Sequence, residues 1–301
     1  MTKKIYIGSI CHRDLDAYKQ IKKIAKLNYN IEIKNLLKKD GTFSTKHFKK
    51  KIKKYRFACL LVKLFSGSSN QVIYNAIKNY ASNIPRINTL NSVHVCESRK
   101  ETFRLIEKKC KKIRIPKCYY SIKSAYDAVN NGTKIIIKLD THNIKNLSKY
   151  DRIVGIARSP KEFLKLIRNY NVENNVLFFQ EYLGKFEIIY KTYVIDRYAI
   201  TITAHNRLRH NKLTPLELIH IRVPMEKLFK RKILQLGRKF GMSIYGIDYV
   251  LKDGVPYIVD VNDFPSFRRI PEANSLISDY IYNFLIDRLK VHKTLVKVKA
   301  L

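Results

Sequence analysis

Over roughly its first ninety residues the chain alternates strand-like and helix-like patterns at a spacing that few architectures accept. Ile5–Ile10, Ile31–Leu36 and Ala58–Leu64 read as strands. Asp14–Leu27, Thr45–Lys54 and Asn70–Tyr80 read as helices, with Ser, Thr, Asp or Asn near each start. Parallel strands need helical crossovers, so this alternation predicts a small, largely parallel sheet covered by helices. The first strand runs into Gly8-Ser9-Ile10-Cys11-His12 and lacks Gly-x-Gly-x-x-Gly, which argues against a dinucleotide site at that turn.

The texture changes near Asn91. A basic helix over Arg99–Lys112, a second at Ser121–Asn130 and a strand over Lys134–Leu139 lead to a polar stretch, Asp140–Asp151. The strand Arg152–Ala157 and a helix opened by Ser159-Pro160 follow. Strands over Val176–Leu183, Ile188–Ile195 and Tyr198–Ala204 suggest antiparallel structure, and Met225–Phe240 a long helix. The hairpin Ser243–Leu251/Pro256–Val261 and a helix over Ser275–Lys290 complete the pattern. Three units are expected: 1–92, 93–175 and 176–301.

Sixty Lys plus Arg against 24 Asp plus Glu give a formal charge of +36. The hydrophobic fraction of 46% excludes a disordered basic tail as a description of the whole chain. The charge points to a polyanion: nucleic acid, an acidic membrane or a phosphorylated small molecule. The longest apolar run, Phe57 to Val62, is too short for a membrane span, and no export signal is visible. Five cysteines without a CxxC pair speak against a disulfide framework or a zinc site. A cytoplasmic protein, monomeric by default and without an obligate nucleic-acid partner, is the expectation. The basic runs at 46–56, 108–117 and 227–239 read as solvated helix faces.

The segment Tyr245 to Asn262 carries the chemistry. Asp260 and Asn262 lie two apart on a strand and share a face. If Gly254 closes a three-residue loop, Leu251 faces Val255, Asp248 faces Ile258, and Asp248 joins Asp260 and Asn262 on that face. A two-residue loop would turn Asp248 away. Three oxygen donors of this kind suit Mg²⁺ shared with nucleotide phosphates. Lys138 ends the apolar strand Lys134–Lys138, where a cation needs an anion or an exit to water. Phe178–Leu183 could seat an adenine between aliphatic side chains.

The segment 243–262 followed by Asp263-Phe264-Pro265-Ser266-Phe267 resembles the end of an ATP-grasp domain. More narrowly it is similar to the inositol tris/tetrakisphosphate kinase family, which also shares the eleven-residue step from Gln180 to Lys191. Val62-Lys63-Leu64 resembles a strand end of that family, and Arg99 falls where it carries an Arg. The resemblance implies an α/β (α+β) ATP-grasp fold with an N-terminal Rossmann-like pre-ATP-grasp domain. It implies ATP phosphate contacts from Arg99 and Lys138 and an adenine hinge from Gln180, Glu181, Tyr182 and Leu183. Lys191 would reach toward ATP and the acceptor, so Lys138 and Lys191 become the candidate catalytic cations. Asp248, Asp260 and Asn262 would hold two Mg²⁺ ions. Acceptor contacts would fall to Lys63, His12, Arg13, His142, Lys185, His205, Arg207, Asn262, Ser266 and Arg268. The chain departs from the family at Leu183-Gly184-Lys185-Phe186, at Ser266 in place of a Gly, and in keeping only His142 after Lys138.

The expected function is ATP- and Mg²⁺-dependent transfer of the γ-phosphoryl group to a hydroxyl of an inositol phosphate. The rival reading is a carboxylate–amine ligase working through an acyl phosphate. A third is a basic nucleic-acid or membrane binder with a degenerate ATP site.

Overall fold

The computed structural model describes residues 4–67, 69–141, 152–168, 170, 177–205 and 219–298. His142 and Arg207 lie outside the described residues.

The alternating region forms one parallel sheet, ordered β2-β1-β3-β4, from β1 (Ile5–Cys11), β2 (Ile31–Asn35), β3 (Phe57–Lys63) and β4 (Arg86–Ile87). The helices α1 (Leu15–Tyr29), α2 (Thr45–Lys54), α3 (Asn70–Tyr80) and α4 (Leu90–Val95) belong to it. On one side Phe48, Ile73, Tyr74 and Ile77 bury against Leu60 and Val62. On the other, Ile21 and Ala25 of α1 meet Ile7, Ile33 and Cys59. The short β4 and α4 escaped the sequence reading because elements of two and six residues carry too few apolar positions to show a period.

A second sheet, ordered β5-β8-β6-β7, pairs β5 (Cys118–Tyr119), β6 (Ile135–Leu139), β7 (Ile153–Ala157) and β8 (Leu177–Glu181) in antiparallel fashion. Its outer face buries Ile135, Ile137 and Phe179 under α6 (Ile122–Asn130) and α7 (Pro160–Ile167). Ser121 and Ser124 close a capping box on α6, and Ser159 caps α7 with Pro160 in its first turn.

The third sheet is antiparallel, ordered β11-β10-β9-β12-β13. It comprises β9 (Ile188–Ile195), β10 (Tyr198–His205), β11 (Arg222–Val223), β12 (Ile244–Lys252) and β13 (Val255–Asp263). Its back face, with Val194, Tyr245, Tyr249 and Val261, packs on α5 (Arg99–Lys109) and α8 (Lys227–Phe240). The long α9 (Ala273–Val298) returns to α1: Ile277 and Ile281 enter the α1 core, and Tyr29 stacks on Tyr282 at 4.4 Å.

The hairpin corrects the expected register. Asp253 and Gly254 have φ of 52° and 73° and make a two-residue turn, with Lys252 opposite Val255 and Leu251 opposite Pro256. Continued regularly, that pairing would set Asp248 opposite Val259 and send Asp260 to the back face. Val259 instead bulges out, so Asp248 lies opposite Asp260 and Gly246 opposite Asn262. The three donors share a face for a different reason from the one anticipated.

The first and third sheets are fastened through Asn88, 1% exposed. Its Nδ2 donates to the Ile244 carbonyl at 2.6 Å, and its Oδ1 accepts from the amides of Ser243 and Ile244 at 2.8 and 2.9 Å. Removing a partner from buried backbone groups costs about 1–3 kcal/mol each. Asn88→Ala should therefore lower stability by about 3 kcal/mol, read as a lower urea midpoint at unchanged slope.

Candidate active site

A cleft of ≈ 580 Å³ separates the second and third sheets, within the range of small-molecule sites. One wall is the row Lys191, Asp248, Asp260. These residues lie directly opposite one another on β9, β12 and β13, and therefore project from one face. Lys191 and Asp248 form an ion pair, both half-buried. In the adjoining row, Tyr193, Gly246 and Asn262 line the cleft. A Cβ at Gly246 would come within 3.0 Å of Pro265, so a larger residue there would crowd the wall.

The facing wall presents Lys138 from β6, two residues along from Ile136, which pairs with Gln180. The Lys138 ammonium donates to Gln180 Oε1 at 2.9 Å and to the Val259 carbonyl at 3.0 Å, so it bridges the two walls. Burial, opposed by Asp260 and reinforced by Arg99, pushes its pKa down to about 8. Gln180 is itself 1% exposed, with Nε2 3.6 Å from Cys118 Sγ. Its side chain serves Lys138. The amides of Glu181 and Tyr182 donate to the Lys117 and Lys134 carbonyls, both at 2.8 Å, and hold the end of β8 in place.

Arg99 arrives from the start of α5, where the end of β6 fixes the helix. Asp140 accepts from the Ser98 hydroxyl and the Lys100 amide, both at 2.7 Å, and its carbonyl accepts from the Arg99 amide at 2.9 Å. The guanidinium, 5% exposed, donates to the Leu139 carbonyl at 2.5 Å and reaches Asp260 at 3.3 and 3.4 Å. Arg152, also lining the cleft, has its pKa lowered by burial and by Arg99. Four cations, Lys138, Arg99, Arg152 and Lys191, thus crowd round two carboxylates, an excess that suits an anion.

At the other end of the cleft, in its walls and just behind them, three cations are already paired with acids. Arg13 donates to the Leu64 carbonyl at 2.7 Å, to the Asp263 carbonyl at 2.9 Å and to Asp263 Oδ1 at 3.3 Å. Lys63 is buried, 3.1 Å from Asp14 and 3.0 Å from the Pro265 carbonyl, and burial lowers its pKa. Arg268 grips Asp16 with two bonds of 2.9 and 3.0 Å and reaches Asp14 at 3.3 Å. That grip holds the Asp16 carboxyl well below the usual carboxylate range. Asp14 was anticipated to help start α1. It takes a left-handed conformation without a side-chain cap bond, its carboxylate being held by Lys63 and Arg268.

Of the residues anticipated from sequence, Arg13, Arg99, Lys138, Gln180, Glu181, Tyr182, Leu183, Lys191, His205, Asp248, Asp260, Asn262, Ser266 and Arg268 line this one cleft. His12 and Lys63 stand outside its walls, and Lys185 is exposed beyond it. Sequence reading missed Arg152, Tyr193 and His220, and weighed Arg269, which also lines the cleft, evenly between an acceptor contact and the basic background. Arg152 offered a signal, an Arg at the head of a strand facing Lys138, but the basic background hid it.

Among the described residues no three His, Cys, Asp or Glu side chains cluster as metal ligands. The donor set is two carboxylates and one amide, with Asn262 Nδ2 3.4 Å from Asp260 Oδ2. Oxygen donors in this number fit Mg²⁺, which keeps several positions for water and phosphate. No described helix is long and apolar enough to cross a membrane.

No protein-family model and no curated protein matches the sequence. Solved structures do match over nearly their whole length. D-alanine–D-alanine ligase from Bacillus anthracis, complexed with ATP, is 14% identical with a TM-score of 0.65, covering 95% of this chain and 98% of that one. A RimK domain ATP-grasp protein from Sphaerobacter thermophilus is 12% identical at a TM-score of 0.61, covering 93% and 99%. The macrocyclase MdnC from Microcystis aeruginosa, bound with its precursor peptide, is 12% identical at 0.60, covering 94% and 99%. One parallel and two antiparallel sheets, with a cleft between the latter two, match these neighbours along the chain: the protein has the ATP-grasp fold.

Proposed function

We propose that the protein is an ATP-dependent ligase that activates a carboxylate as an acyl phosphate and joins it to an amine. One observation carries this reading, the distribution of charge along the cleft. Four cations face two carboxylates at the Lys138 end, which suits a triphosphate. At the Arg268 end Asp14, Asp16 and Asp263 already neutralise Lys63, Arg13 and Arg268. An acceptor with many phosphates would have to break those pairs, whereas an acceptor with one or two charges would not. The ligases among the similar folds support the same reading.

In this reading Lys138, Arg99 and Lys191 hold the phosphates, and Glu181 to Leu183 lie along the adenine. Asp248, Asp260 and Asn262 would hold Mg²⁺, expected as two ions, whose chemistry there would be to offset charge on the phosphate oxygens. The acceptor carboxylate oxygen attacks the γ-phosphorus, the bond to the β–γ bridging oxygen breaks, and ADP leaves. The amine nitrogen then attacks the acyl carbon and gives up a proton as phosphate departs. Residues 1–92 would form the acceptor end, with 93–175 and 176–301 as the two walls.

A second reading, phosphorylation of an inositol phosphate hydroxyl, is favoured by the Asp260 to Pro265 segment and the step from Gln180 to Lys191. Product analysis separates the two. With ATP, Mg²⁺ and panels of carboxylates and amines, the ligase yields ADP, free phosphate and an amide. An inositol phosphate ester formed without free phosphate would instead establish the kinase.

Asp260→Ala should reduce turnover at least about a hundredfold with an unchanged circular dichroism spectrum. Nucleotide affinity should also depend on pH. Lys138, with its pKa pushed down to about 8, binds phosphate as a cation, so affinity is full below that value and falls as pH rises through it. Calorimetric titration with ADP from pH 6 to 9.5 should show the fall, and Lys138→Met should flatten the profile at a lower affinity.

A further inference from the structure

The bulge in β13 does two things at once, and only one of them concerns the carboxylates. With a two-residue turn at Asp253-Gly254, regular pairing would place Asp248 and Asp260 on opposite faces; the extra residue Val259 brings them together. The same residue turns its carbonyl into the cleft, where it accepts from the Lys138 ammonium at 3.0 Å. Lys138 is 8% exposed, and both of its hydrogen-bond partners named above, this carbonyl and Gln180 Oε1, are neutral. A buried ammonium without acceptors would be driven to give up its proton or leave the site. Arg114 supplies an outer brace, since its carbonyl accepts from the Ile258 amide at 3.0 Å immediately before the bulge. Bulges are suited to this work because they displace one backbone group from the ladder and re-aim it.

We propose that Val259 is a positioning residue for nucleotide binding, acting through its backbone: the displaced carbonyl anchors the Lys138 ammonium across the cleft from the Lys191–Asp248–Asp260 row. The anchoring contributes to affinity by holding the cation in place before a phosphate arrives. The role rests on the nucleotide reading of the cleft and assigns nothing to the valine side chain.

The geometry offers a clean separation. Deleting Val259 closes the bulge into a regular hairpin in which Asp260 directly follows Ile258 and so still lies opposite Asp248. The carboxylates stay together and the carbonyl is lost. A second variant, with Val259 deleted and one Ala inserted after Pro256, keeps the chain length and moves the bulge toward the turn. Val259→Ala keeps the carbonyl and trims only the side chain.

The test is calorimetric titration of the full chain with ADP in EDTA, alongside Mn²⁺ binding followed by electron paramagnetic resonance, with cooperative thermal unfolding as the check on folding. Both bulge variants should lose ADP affinity at least about tenfold, while their Mn²⁺ affinity stays within about threefold of the parent. Val259→Ala should match the parent in both. Bulge variants that bind ADP like the parent, or a Val259→Ala variant that loses as much as they do, overturn the proposal while leaving the nucleotide reading intact. A parent protein that binds no ADP, with or without Mn²⁺, overturns both.

Discussion

Buried charge needs polar partners, and in this molecule several of them lie across the cleft. Lys138 leans from one wall onto a backbone carbonyl of the other, and Arg99 reaches from the head of α5 to Asp260. Lys191 and Asp248 pair within their own wall. Each strand position beneath these groups is constrained by the need to deliver them: the ties from Asp140 to α5, the turn at Asp253-Gly254, the extra residue in β13.

The same principle shapes the far end with the opposite result. There Asp14, Asp16 and Asp263 meet Lys63, Arg13 and Arg268. A chain of charge +36 has few acids to spend, yet three are placed here. The overall excess says little about this site. Near Lys138 four cations face two carboxylates, whereas Lys63, Arg13 and Arg268 each have an acid partner, and a ligand would meet those local patterns rather than the total.

Much of the architecture was legible from residue pattern because the strands and helices are long and one-sided. Thr45–Lys54, Asn70–Tyr80 and Ile188–Ile195 fall where the periodicity places them. The shared face of Asp248, Asp260 and Asn262 was anticipated too, through the wrong turn: sequence shows a Gly at 254 but not whether Asp253 also takes a positive φ, nor where a bulge sits. Acceptor-end residues were the least legible. Whether an Arg faces a ligand or a carboxylate depends on pairs such as Arg268 with Asp16, 252 residues apart, and no local pattern records them. The family-level expectation of an inositol phosphate acceptor came from the segment around Asp260 and the step from Gln180 to Lys191, which lie toward the Lys138 end of the cleft rather than the Arg268 end.

The return of α9 to α1 has a consequence for the order of events during synthesis. Tyr29 donates to Asp279 at 2.6 Å and the Ser278 hydroxyl donates to the Ile21 carbonyl at 3.3 Å, contacts that span 250 and 257 residues. The first sheet to leave the ribosome therefore waits, with one apolar flank of α1 uncovered, until the residues near 285 have followed it out. At roughly 5–20 residues per second that wait lasts on the order of ten seconds or more. The lysines at 19, 22, 23 and 26 on the outer side of α1 keep the waiting helix charged toward water throughout.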